Sequence, residues 1–327
     1  MRAMVMAAGL GTRLRPLTYE VPKPMVPVVN RPVMEHILEL LPRHGFSEVI
    51  ANLHWFPETI RERFGDGSAL GVDLTYSYED ELLGTAGGVR NVAEFFGSES
   101  FLVMAGDALT DIDLAALRAA HESNGGVATL AVRRVANVSE FGVVIAGSEG
   151  RVQGFQEKPD PAEALSDLAN CMIYVLEPEV FDYFPDKPVV DFALDVFPAL
   201  LENDVPFHVH TIDAYWNDVG SLPEYLQGNL DALEGTVKVE ARGSVLEPSG
   251  GDAAVDTGEP GVNGPVLVGE NCELGAEARL DGPLVIGDRC AIAPGARVKH
   301  SVLLPGSQVP AGAIVAGAIY GRTRAVA

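Results

Sequence analysis

From Val262 to Leu304 an aliphatic residue returns at every sixth position: Val262, Val268, Leu274, Leu280, Ile286, Ile292, Val298 and Leu304. A small residue often follows, as in Val268-Gly269, Leu274-Gly275 and Ile286-Gly287. A period of six with one aliphatic side chain turned inward per step is the pattern of a left-handed parallel β-helix, three steps to a coil. The run suffices for two to three coils. Open coil edges invite stacking, so residues 262–327 are expected to act as an assembly surface that makes a homo-oligomer, or as a cap on the rest of the chain. His300 is the only histidine in this region, and so short a run argues against an acyltransferase site.

The other end of the chain carries the chemistry. Ala3 to Ala7 is an apolar strand that breaks into a loop containing Gly9 and Gly11. The loop delivers Thr12, Arg13 and Arg15, and Lys23 follows between Pro22 and Pro24. Glycines bring backbone N–H groups close to anionic oxygens. Arg supplies a planar fork for phosphate and Lys a compact charge. Together they read as a polyphosphate site. It is neither GxxxxGK[ST] nor GxGxxG, because Leu14 stands at the third glycine position.

Between these ends the pattern is α/β. Strands are expected at Glu48–Leu53, Val72–Tyr78 and Phe101–Ala105. Helices are expected from Pro32 to Gly45, from Pro57 to Phe64 and from Ala86 to Phe96. Such alternation implies a Rossmann-like open, mostly parallel sheet with helices on both faces, mixed in its second half. Strands at 127–132, 142–145, 152–156 and 172–176 are followed by a helical stripe at 193–201. A helix then runs from a Ser221/Glu224 capping box to Leu233. Residues 1–233 form one expected unit, 234–261 a linker with a Gly/Pro/Asp loop at 248–261, and 262–327 the β-helix.

The chain has 23 Lys plus Arg against 46 Asp plus Glu, a net charge of −23. That field repels nucleic acid and anionic membranes, so cations near the Gly-rich loop stand out. Cys171, Cys272 and Cys290 lack metal or redox spacing. The absence of a leader pattern or an 18-residue apolar run leads us to expect a cytoplasmic protein.

GLGTRLRPLT followed by VPKPMVPV resembles the sugar-1-phosphate nucleotidyltransferases, most of all their mannose-1-phosphate guanylyltransferase branch. The resemblance covers about residues 1–233 and implies an enzyme joining an NTP to a sugar 1-phosphate, with release of pyrophosphate and dependence on Mg²⁺. The nucleophile is already an anion, so catalysis is positioning and charge screening. By resemblance, Arg13 and Lys23 clamp the nucleotide phosphates, and Ala8, Gly9, Gly11 and Thr12 line the nucleotide. The aspartates of GD and WNDVG, Asp107 and Asp218, ligate the metal; each also reads locally as a turn aspartate at a strand end. Glu79 with the loop 82–89, including Gly84 and Thr85, is the implied base and ribose site. Glu79 is suited to accept from guanine N1–H and N2–H₂, which favours GTP. Gly142, Glu157, Lys158 and Asn170 are the implied sugar-phosphate contacts. The chain departs from the family at Asn170-Cys171-Met172, where Asn-Ala-Gly is usual, which bears on mannose against glucose. Alternatives are a glucose-1-phosphate uridylyl- or thymidylyltransferase, or a non-catalytic nucleotide-sugar-binding regulatory subunit. Retention of Arg13, Lys23, Asp107, Lys158 and Asp218 favours the enzyme.

Overall fold

The computed structural model describes residues 1–248 and 260–327. The expected loop at 248–261 therefore falls almost wholly outside the described residues.

Nine strands make the main sheet: β1 (Ala3–Met6), β2 (Glu48–Leu53), β3 (Asp73–Tyr78), β4 (Phe101–Ala105), β5 (Ala128–Arg134), β6 (Gly142–Ala146), β7 (Val152–Glu157), β8 (Leu168–Leu176) and β9 (His208–Thr211). β4, β1, β2 and β3 are parallel neighbours. β8 lies antiparallel on β4 and turns the second half into a mixed sheet with β5, β6 and β7. β1 and β4 read as near-continuous apolar runs because both faces are covered: Phe101 to Met104 are fully buried. One face packs on Ile37, Leu38 and Leu41 of the helix Val33–Arg43, the other on Val89, Phe96, Val196 and Phe197.

Two helices differ from expectation. Ala86–Phe96 is two pieces, Thr85–Asn91 and Ala93–Phe96, broken at Val92. The stripe at 193–201 begins as a π-turn, Phe192–Val196, before the α-helix Phe197–Glu202. Pro198 has no N–H to close the ordinary i→i−4 bond, which accounts for the wider turn.

The C-terminal hexads stack as parallel coils that give four, four and three strands to three sheets, the first of which is joined antiparallel by Ser244–Leu246. Val262 stands over Leu280, and Leu280 over Val298. Three full coils and part of a fourth are present, more than the run of sixes suggested. The inward phase also slips once. Ile286 pairs with Leu303, so Leu303 and not Leu304 enters the coil core. The turn at His300 is short by one residue, held by Ser301 Oγ donating to the Lys299 carbonyl at 2.6 Å. Adjacent leucines concealed the slip, and Leu304 faces the rest of the chain. His300 is exposed in that turn.

One coil face docks on the catalytic part. Leu267, Val285, Val302 and Ile319 pack with Leu14, Val29, Leu109, Val219 and Tyr225. Val29 and Asn30 have φ of 44° and 67° and form the two-residue turn of a hairpin. Asn30 Nδ2 donates to the Ile286 carbonyl at 3.0 Å. These contacts make the coils a cap behind the segments that carry Arg13, Asp107 and Asp218. No described helix is long and apolar enough to cross a membrane.

Candidate active site

β1 and β4 run side by side, so the loops after them leave the same sheet edge. The loop after β1 turns at Gly11, with φ 60°. A Cβ there would lie 2.8 Å from Lys23 Cβ, so only glycine lets the Lys23 stem lie against the loop. Thr18 Oγ1 closes the loop by donating to the Gly11 carbonyl at 2.8 Å.

Asp107 follows β4. Asp218 is 111 positions further on, and a two-residue antiparallel pairing of Trp216–Asn217 with Leu109–Thr110 brings it alongside. Lys23 links the two: its Nζ is 2.7 Å from Asp107 Oδ2 and donates to the Asp218 main-chain carbonyl at 2.9 Å. The Arg13 guanidinium is 3.7 Å from Asp218 Oδ2. The Lys23 side chain is 10% exposed and Arg13 58%. Lys23 is therefore a buried, doubly held charge and Arg13 an exposed one.

These four residues line a cleft of about 420 Å³. Gly142, Glu157, Lys158 and Asn170 line the same cleft, with Phe141, Met172 and Trp216. Glu157 pairs across the strands with Gly142, and Lys158 at φ 44° turns out of the strand end. Asn170 Nδ2 donates to the Tyr174 hydroxyl at 2.9 Å, which leaves its carbonyl oxygen to accept from Met172 N–H.

The nucleotide-side residues divide. Thr85 lines the cleft, and its Oγ1 donates to Asp191 Oδ2 at 2.7 Å. Ala8, Gly9, Gly11 and Thr12 build the loop that carries Arg13 but are not among the cleft-lining residues. Glu79 departs from its expected role. It is 3% exposed; Oε1 accepts from Asn52 Nδ2 at 2.7 Å and Oε2 from Leu83 N–H at 3.1 Å. Asn52 in turn accepts from Ala7 N–H at 2.8 Å. Glu79 thus braces the β1 loop against the 82–89 loop, and the case for guanine from its carboxylate falls. Gly84 likewise serves packing: a Cβ there would meet the Val190 carbonyl at 2.4 Å. That same oxygen accepts from Ala86 and Gly87 N–H.

Asp191 and Glu224 were missed from the sequence. Asp191 caps the π-turn through Ala193 and Leu194 N–H as well as holding Thr85. Its only local signal is a cap position before a helical stripe. Glu224, read as a capping-box residue, also lies against Asp218. Burial, then the Asp218 charge, pushes its carboxyl up to about 7.

The fold and this cleft define a nucleotidyltransferase. The nucleotidyl transferase family model matches residues 2–235, and the GMPPB C-terminal domain model matches residues 262–327. The chain belongs to this family and is an enzyme making NDP-sugars from an NTP and a sugar 1-phosphate. It is 38% identical to a UTP–glucose-1-phosphate uridylyltransferase of Synechocystis, over 98% of this chain and 88% of that one. It is 37% identical to a mannose-1-phosphate guanylyltransferase of Mycobacterium tuberculosis, over 85% of this chain and 77% of that one. A Bacillus anthracis putative glucose-1-phosphate thymidylyltransferase structure superposes with TM-score 0.66 at 23% identity, covering 73% of this chain and 97% of that one; it bears on fold alone. Enzymes of the family typically use a divalent metal.

Proposed function

We propose that the chain transfers the guanylyl group of GTP to mannose 1-phosphate, releasing pyrophosphate, with Mg²⁺. The observation that carries this reading is the convergence of Arg13, Lys23, Asp107 and Asp218 in one cleft that Glu157, Lys158 and Asn170 also line. A phosphate oxygen of the sugar 1-phosphate attacks the α-phosphorus; the new O–P bond forms as the bond to the β-phosphate oxygen breaks, and pyrophosphate carries away the electron pair. No proton has to be removed from the nucleophile. Lys158 draws the sugar phosphate in, and Glu157 and Asn170 receive sugar hydroxyls. Arg13 and Lys23 offset the charge that moves onto pyrophosphate.

Two carboxylates at strand ends, without a third metal-ligating side chain in a cluster among the described residues, suit a hard cation that keeps water and phosphate oxygens in its shell. Asp107 and Asp218 would hold it, and it would screen the phosphates. The M. tuberculosis relative and the GMPPB-type C-terminal model support GTP with mannose 1-phosphate. The Synechocystis relative favours a second reading, UTP with glucose 1-phosphate. Pyrophosphate release measured for GTP, UTP, dTTP, ATP and CTP, each with both sugar 1-phosphates, separates them. A kcat/KM highest for UTP with glucose 1-phosphate overturns the first reading, and no release from any pair overturns both.

A further inference from the structure

β8 is interrupted where it crosses the sugar side of the cleft. Asn170 pairs with Val132 and Tyr174 with Leu130, so the three residues between them on β8 oppose only Ala131 on β5. At the centre of this bulge Met172 has φ 54°. A side chain in that left-handed region strains the backbone, and glycine is the residue that occupies it freely. Such strain persists where the surroundings over-determine it, and it gathers at functional sites. Here the surroundings are explicit. Met172 N–H is held by Asn170 Oδ1 at 3.0 Å, and the half-buried side chain packs against both sheet-face cores. The bulge leaves Asn170 and Met172 both lining the cleft, with Phe141 and Trp216.

We propose that Met172 is a specificity-determining residue: its thioether chain fills the space a glycine would leave beside Asn170 and limits the cleft to sugar 1-phosphates without bulky ring substituents. This rests on the nucleotidyltransferase reading of the cleft and adds a residue that sets its sugar selectivity. A rigid β-branched side chain would fix a single outline. Methionine instead adapts its outline, while its packing against both cores keeps it in the cleft.

The test uses the full chain and the variants Met172→Gly and Met172→Ala. kcat/KM is measured by pyrophosphate release with the preferred NTP against mannose 1-phosphate, glucose 1-phosphate and N-acetylglucosamine 1-phosphate. The wild type is expected to disfavour the 2-acetamido sugar by at least about tenfold, within what one shape contact in a pocket supplies. Both variants should shrink that ratio at least fivefold, chiefly through KM for the sugar, with KM for the NTP held within threefold. Met172→Ala, which keeps a side chain at the bulge, stands in where Met172→Gly is poorly folded. An unchanged ratio in a folded, active variant overturns the inference while leaving the reaction intact. Absence of pyrophosphate release from the wild type with every pair overturns the underlying reading and this inference together.

Discussion

Replacing Lys23 by methionine removes a charge that touches both Asp107 and Asp218. At 2.7 Å from Asp107 Oδ2, with an effective dielectric of about 20, the gross attraction is about 6 kcal/mol. Desolvation of a side chain that is 10% exposed offsets much of it. A charge-assisted hydrogen bond leaves a net of about 1.5–3 kcal/mol. Asp107 is 26% exposed and can be rehydrated, so the loss in unfolding free energy is expected at about 1–3 kcal/mol. Catalysis should suffer more, because the charge is held where negative charge develops on departing pyrophosphate: kcat should fall about 100- to 1000-fold. The metal requirement should not rise, since Lys23→Met frees the Asp107 carboxylate from its cationic neighbour while Arg13 stays beside Asp218. Urea unfolding gives the first quantity, pyrophosphate release against divalent-metal concentration the other two. A variant turning over within fivefold of wild type refutes the role, and one that regains activity only in excess metal refutes the division of labour between Lys23 and the aspartates.

Arg13→Ala, at a side chain 58% exposed, should lower kcat at least about 100-fold with little change in urea midpoint; near-normal turnover refutes its role. Asp107→Asn and Asp218→Asn should each raise the metal concentration for half-maximal activity at least about tenfold, and EDTA should abolish turnover while leaving the thermal midpoint in place. Glu79→Ala strands the Asn52 and Leu83 donors and should destabilise by about 1–3 kcal/mol without altering the order of NTP preference; a changed order restores Glu79 to the base site. Burial holds the His36 imidazole below its usual pKa, although it contacts the Val28 carbonyl at 3.2 Å. The neutral ring's contribution is complete above the unfolded value of about 6.5 and is lost as pH falls towards the lower folded value, so the thermal midpoint should fall as pH is lowered below about 6.5, level off beneath the folded value, and fall less in His36→Gln.

Much of the molecule was legible locally. Glu48–Leu53, Phe101–Ala105 and Pro57–Phe64 stand where apolar runs and a proline-led stripe put them, because buried strands and amphipathic helices write their own burial into neighbouring positions. The hexads declared a parallel coil for the same reason, and the Arg13 loop with Lys23 is a single continuous stretch. Features set by distant partners were not legible. Asp218 and Asp107 meet only because Trp216 pairs with Thr110. Glu79 looked free to bind a base until Asn52 and Leu83 were seen to hold it. The slip to Leu303 depends on which of two adjacent leucines faces the core, and the strain at Met172 on a bulge between β5 and β8. The amino-acid order by itself determined which segments are strands, helices and coils and where charge is concentrated. Tertiary structure alone decided which carboxylates face the cleft and which are consumed in bracing it, since a side chain's free valence depends on neighbours the chain brings back from far along its length.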